Sequence, residues 1–251
     1  MPAKTIVIFS TKGGVGKTLL ATNLAVSLVK DQARRVCLVD MDLQGLGDMA
    51  RMLYLNPQKA AVDMVASMKD RKEGVKISDF LTHSSLDVDF LPGVLRPQQS
   101  PHLDPDSIKD VFGALNKDYD YIIVDAGSHF SSVFVATINQ ANLILLVVTP
   151  DILSIYQTKW ALDTLQFLHL PLSMAKIILN RAESAASISW QEVRTSLPCD
   201  IIAQIPSEGK AVGIAVNQGI PVVIDSPRTK ISLAIAKLAE QLSSQPKLFI
   251  E

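Results

Sequence analysis

Ser10-Thr11-Lys12-Gly13-Gly14-Val15-Gly16-Lys17-Thr18 follows directly on the apolar run Thr5–Phe9 and leads into Leu19-Leu20-Ala21, where a helix is expected to begin. Strand, glycine-rich turn and helix start, in that order, give a phosphate-binding loop its physical basis. Glycines let backbone N–H groups curl inward around a polyphosphate, and the helix N-terminus adds its positive end. Lys17 is expected over the β- and γ-phosphates of a nucleotide, with the Thr18 hydroxyl on Mg²⁺. The strict GxxxxGK[ST] pattern asks for glycine where this chain has Thr11, and a second lysine, Lys12, stands before the glycine pair.

Outward from this loop, short apolar runs alternate with longer amphipathic segments. Candidate strands are Thr5–Phe9, Val36–Asp40, Val88–Leu91, Tyr121–Asp125, Leu143–Thr149, Lys176–Asn180 and Ile201–Ile205. They are rich in Val, Ile and Leu without polar alternation, as strands covered on both faces should be. Candidate helices are Thr18–Lys30, Asp106–Asn116, Ile152–Leu168, Ser189–Ser196 and Thr229–Leu242. In the last, Ile231, Ile235, Leu238 and Leu242 share one face, which predicts packing on a sheet. The alternation predicts an α/β fold: a doubly wound, mostly parallel sheet with helices on both faces. The stretch Asn56–Pro101, with Pro57, Pro92, Pro97 and Pro101, reads as surface excursions, and residues 1–251 as one domain.

Composition narrows the function classes. The 251 residues are 48% hydrophobic and 20% charged, with mean hydropathy +0.24, which excludes a disordered tail. Lys and Arg total 24 against 25 Asp and Glu, which argues against a generally basic nucleic-acid coat. Cys37 and Cys199 are the two cysteines and form no CxxC, so a disulfide framework, zinc ribbon or cysteine-ligated cluster is not expected. No apolar run reaches the ~18 residues of a membrane span, and the start has no signal-peptide core. A cytoplasmic address is expected, with recruitment to a membrane or pole left to a partner.

Two further runs end in acids. Val39-Asp40-Met41-Asp42-Leu43-Gln44-Gly45 places carboxylates at the C-terminal end of a strand, where metal and water chemistry belongs; Asp42 could instead cap the next helix. Tyr121-Ile122-Ile123-Val124-Asp125, read as the fourth strand, has the Walker B pattern. Asp125 is expected to hold Mg²⁺ through a water, and Gly127 to give the next loop room to move.

KGGVGKT resembles the deviant Walker A signature of the ParA/MinD family of P-loop ATPases, and later motifs extend the resemblance over nearly the whole chain. The resemblance implies slow hydrolysis of Mg·ATP by an ATP-dependent homodimer. It implies that Lys12 reaches across a two-fold interface to the partner's phosphates, where the residues alone would equally fit a solvated loop lysine; within one subunit it has no evident duty, since Lys17 already covers them. Asp42 matches the acid that positions the attacking water, and Asp40 the neighbour that braces its loop. Lys12, Lys17 and Asp42 are thus the implied catalytic residues, and Thr18, Asp42 and Asp125 the implied Mg²⁺ set. Lys12, Gly13, Gly14, Val15, Gly16, Lys17, Thr18 and Leu19 form the implied ATP loop. Leu19 departs from the Thr of many relatives and forgoes a side-chain contact to the α-phosphate. Ile177-Ile178-Leu179-Asn180-Arg181 looks like the family's strand whose asparagine reads adenine, and Ile205-Pro206-Ser207-Glu208 like the loop on the base's other side. Asn217-Gln218-Gly219-Ile220-Pro221 matches a MinD-like turn, and locally it reads as a helix C-cap.

Within the family, the missing CxxC sets aside metal-cluster carriers and nitrogenase reductases, and 4 tyrosines set aside tyrosine autokinases. The tail after Leu242 carries one lysine and does not resemble the basic membrane helix of MinD. Arg34, Arg35, Lys69, Arg71, Lys72, Arg228 and Lys230 could form the basic stripe of a DNA-partition ATPase, but acids intersperse them. The texture of Ser10–Thr18 and of Val39–Leu53, with the order of Asn180-Arg181, Ile205-Pro206 and Asn217-Gln218-Gly219, resembles the CpaE/TadZ branch, which implies positioning of pilus-assembly machinery by binding a protein cargo. Alternatives are a ParA-like partition or MinD-like septum-site ATPase, a nucleotide-gated binding module without turnover, and an ATP-dependent synthetase sharing the loop.

Overall fold

The computed structural model describes residues 2–45, 47–70, 76–183 and 188–250. Eight strands form one sheet: β1 (Lys4–Phe9), β2 (Val36–Asp40), β3 (Thr82–His83), β4 (Val88–Pro92), β5 (Tyr121–Asp125), β6 (Leu143–Val148), β7 (Ala175–Asn180) and β8 (Ile201–Ile205). Their order is β3-β4-β2-β5-β1-β6-β7-β8, parallel throughout except β3, which pairs antiparallel with β4. The Val/Ile/Leu runs form the central strands because both faces are covered. Ile6 and Ile8 pack on one side of β1, Val7 and Phe9 on the other, all fully buried.

On one face lie α1 (Lys17–Gln32), α2 (Asp48–Met52), α8 (Gly209–Gln218), α9 (Val222–Asp225) and α10 (Lys230–Ser244). The opposite face carries α3 (Ala61–Lys69), α4 (Pro105–Leu115), α5 (Ser132–Ile138), α6 (Ile152–Phe167) and α7 (Trp190–Ser196). Side-chain caps fix several starts: Asp104 accepts from the Ser107 N–H, Asp151 from Ser154, and Ser189 from Glu192. The Ile231/Ile235/Leu238/Leu242 face of α10 is buried on the sheet, as expected. Gly219, at φ +67, ends α8 as its C-cap, and Pro221 opens α9, which bears out the local reading of that turn.

Two expectations need correction. Tyr121–Asp125 is the fifth strand, because the two-residue β3 precedes it. The stretch Asn56–Pro101 is not mere surface: α3 and β4 lie within it, and Met64, Val65, Phe80 and Phe90 are buried core residues. Pro92 ends β4 and Pro97 opens a short 3₁₀ turn that contains Pro101, while Pro57 lies in the loop before α3. No helix among the described residues is long and apolar enough to cross a membrane.

Candidate functional site

Register assembles the site. β1 lies between β5 and β6, and β2 pairs with β5 so that Asp40 stands opposite Asp125. The loop after β1, the acids after β2 and the acid ending β5 therefore emerge together at the C-terminal edge of the sheet, where ligands of open α/β sheets bind.

The loop itself has the shape a polyphosphate needs. Gly14 and Gly16 adopt φ +72 and +96, a left-handed conformation costly for other residues, and Gly16 is the N-cap of α1. Gly13 and Gly14 face open space, whereas a side chain at Gly16 would meet the Asn180 amide nitrogen. Val15 is buried beneath the loop and Leu19 half-buried on α1.

Lys17 is buried, and its ammonium donates to Ser128 Oγ at 2.7 Å. Burial pushes its pKa down, while the carboxylates of Asp125 and Asp42 oppose that. Thr18 Oγ1 donates to Asp125 Oδ2 at 2.6 Å. Asp125 is itself buried; desolvation raises its pKa against the Thr18 hydroxyl, the Gly127 N–H and Lys17. A hydroxyl and a buried carboxylate side by side form a hard oxygen donor set, which fits Mg²⁺ sharing its shell with phosphate and water. Asp40 rises well above the ordinary carboxyl range through burial and the facing Asp125, and it accepts the Asp42 N–H at 3.0 Å.

Asp42 does not cap a helix, since α2 begins at Asp48 with Gly47 as its cap. Its Oδ1 accepts from the Gln44 and Gly45 N–H groups at 3.3 and 3.1 Å. Gly127, at φ +68, lies so close that a Cβ would come within 2.9 Å of Asp42 Cγ. The loops that follow β2 and β5 thus touch across a glycine.

The expectation that Lys12 has no duty in its own subunit is corrected: its ammonium lies 2.7 Å from Asp151 Oδ2. Asp151 also accepts from Thr149 Oγ1 at 2.6 Å and caps α6. These hydrogen bonds outweigh its desolvation and hold its pKa at about 2. Asn180 is buried and donates its amide to the Val15 carbonyl at 2.7 Å, and Arg181 donates to the Gly14 carbonyl at 3.1 Å. Both residues therefore brace the phosphate loop. Pro206 follows Ile205, which pairs with Asn180, so it leaves the sheet beside the same edge.

Ser128 and Asp151 were not singled out from the sequence. A Ser after Walker B and an Asp before an apolar helical run are visible there, but their lysine partners lie 111 and 139 residues away. Of the basic residues considered for a stripe, Arg35 pairs with Asp120, Lys69 with Asp104 and Lys230 with Glu183, and Arg34 donates to Ser243. Arg71 and Lys72 lie outside the described residues.

Comparison with known proteins matches this geometry. Residues 3–174 match the family model described as an AAA domain. The septum site-determining protein MinD of Thermotoga maritima is 26% identical over 96% of this chain and 88% of its own. A ParA family ATPase from Chlorobium tepidum superposes with TM-score 0.87 at 25% identity, covering 96% of this chain and 99% of that one. MinD from Pyrococcus horikoshii, solved with Mg-ADP, gives TM-score 0.83 at 25% identity over 96% of each chain. With its phosphate loop, paired acids and sheet order, the chain belongs to the ParA/MinD family of deviant Walker A P-loop ATPases, which bind Mg·ATP and hydrolyse it.

Proposed function

We propose that residues 1–251 act as a single ATP-gated switch domain that pairs with a second copy and positions or regulates a protein machine. The observation that carries this reading is the 2.6 Å contact between Thr18 and Asp125, with Lys17 beside it on Ser128. In the ATP state Lys17 leaves Ser128 for the β- and γ-phosphates. Thr18 and Asp125 would hold Mg²⁺, which would supply charge neutralisation at the β- and γ-phosphates. Asp42 orients the attacking water, and Asp40 holds its loop through the Asp42 N–H. Lys12 exchanges Asp151 for the phosphates of the facing subunit, so that assembly reads the nucleotide.

Calorimetry on Lys17→Ala tests the nucleotide half, with loss of Mg·ATP binding expected and unchanged affinity against it. The cargo assigned here is pilus or secretion assembly, supported by the resemblance of Val39–Leu53 to the CpaE/TadZ branch. Septum-site or DNA-partition roles are the second reading, favoured by the MinD and ParA names of the relatives. A pull-down with Asp42→Ala compared with Lys17→Ala separates them, through the proteins or DNA retained only by the first.

A further inference from the structure

The sheet treats its two sides differently. β4 is covered by the short antiparallel β3, whose His83 pairs with Asp89 and Asp87, so ionisable groups guard that side. β8, at the other end, pairs with β7 alone among the described residues. Its run Ile201-Ile202-Ala203-Gln204-Ile205 carries no charge and no proline, and Ile201, Ile202 and Ala203 are only half-buried. An uncharged, isoleucine-rich strand with a free row of backbone N–H and C=O groups is a template for one more strand.

A cleft of about 270 Å³ lies beside that edge, with Ile202 and Ala203 of β8 on one side and Ala234, Lys237, Leu238 and Gln241 of α10 on the other. The helix runs against the strand. Its first turn is tied to the loop after β8, where Glu208 accepts the Ile231 N–H at 2.6 Å. Its last turn lies at the opposite end of the sheet, where Tyr121, opening β5, donates to the Leu242 carbonyl at 3.2 Å. Four helical residues rise about 6.0 Å, and two strand residues about 6.6 Å. Leu233, Lys237 and Gln241 therefore stand at the spacing of alternate side chains on an added strand. Leu233 is 58% exposed, and Lys237, also exposed, has no ion-pair partner among the described residues.

We propose that β8 docks an extended, acid-bearing segment of a partner protein, which joins the sheet antiparallel to β8 as a further strand. Antiparallel pairing is slightly more stable per residue, and it makes the segment run in the direction of α10. From its N-terminal end the segment sets an apolar side chain against Leu233 and, two residues on, a carboxylate against Lys237. Two residues further, a hydrogen-bonding side chain meets the Gln241 amide. Charge selects this occupant over a second copy. Two β8 edges related by a two-fold axis would put both α10 helices on one face of the joined sheet, Lys237 facing Lys237 across the joint. The edge also shifts register where Ile177 pairs with Ile201 but Ile178 with Ala203. Such a bulge hinders a rigid second edge, whereas a flexible segment can follow it. β8 stands three strands from β1, so docking here leaves the phosphate loop free.

The test titrates the full chain, by fluorescence anisotropy, into a labelled peptide with the core Val-Thr-Glu-Thr-Asn flanked by Thr and Ser. Wild type should bind it at least about tenfold more tightly than the same peptide with Lys in place of Glu. Lys237→Glu should reverse that preference and Lys237→Gln should erase it, while both variants keep wild-type affinity for a fluorescent ATP analogue. N-methylation of the amides along one edge of the peptide should abolish binding, and methylation of the alternate amides should leave it intact. No binding, or a preference that neither variant alters, overturns the docking site. Equal sensitivity to methylation along both edges overturns strand addition. Wild type that sediments without nucleotide as a dimer, and that saturating peptide splits, would make the occupant a second copy and overturn the proposal as well.

Discussion

The Lys12 ammonium and the Asp151 carboxylate, 139 residues apart in sequence, form a 2.7 Å ion pair at the start of α6. Any role for Lys12 across an interface therefore begins with breaking a bond inside its own subunit. Asp151→Asn keeps a helix-capping side chain but releases the lysine, so ATP should drive dimerisation at lower nucleotide concentration than in wild type. Sedimentation against ATP concentration reads this. In the ATP-retaining Asp42→Ala background, adding Lys12→Ala should abolish the dimer. A dimer that persists would make Lys12 only an internal tether.

The same pair predicts an acid response. Asp151 titrates at about 2 in the fold against an ordinary value of 3.8. Its folded pKa is depressed, so its contribution to stability is full above the ordinary value and is lost as pH falls from about 4 toward about 2. Urea midpoints measured down that range should fall less steeply for Asp151→Asn than for wild type. Parallel slopes would show that the carboxylate contributes nothing in this window.

Gly127→Ala tests the contact between the loops that follow β2 and β5. The new Cβ would lie 2.9 Å from Asp42 Cγ, at a φ of +68 that costs an alanine about 1–2 kcal/mol. Displacing Asp42 by a fraction of an ångström to one ångström should slow hydrolysis by up to about a hundredfold. ATP affinity, set by the phosphate loop, should change far less. A variant that loses binding and turnover in proportion would argue that the glycine supports the loop as a whole.

Asn180→Ala leaves the Val15 carbonyl without its side-chain donor. An unsatisfied buried acceptor costs about 1–3 kcal/mol, so chemical denaturation should show a loss of that size. The family resemblance implies that the same amide reads adenine, and on that reading preference for ATP over GTP should fall as well. Loss of stability with unchanged nucleotide preference would confine Asn180 to bracing the loop.

Much of this was readable in advance where local chemistry dictates structure. Val36–Asp40 and Tyr121–Asp125 appear with the expected bounds because an uncharged β-branched run ending in Asp leaves little alternative in a buried parallel strand. The two-residue β3 carries no periodic signal, and its pairing depends on β4 beside it. α3 was legible in principle, since Ala61, Val62, Met64 and Val65 follow helical spacing, but the surrounding prolines masked it. In the site, residues in one loop announced themselves by spacing. Asp151, Ser128 and the bracing role of Asn180 did not, because each depends on a contact more than a hundred residues away.

The central claim is that this chain separates holding ATP from spending it, with Lys17 serving the first and Asp42 the second. Single-turnover phosphate release from Asp42→Ala preloaded with Mg·ATP tests that most directly. The account predicts ATP affinity close to wild type and phosphate release slowed by at least about a hundredfold. Release at the wild-type rate would contradict it, and would leave Asp42 as a loop-shaping residue whose carboxylate only holds the Gln44 and Gly45 N–H groups.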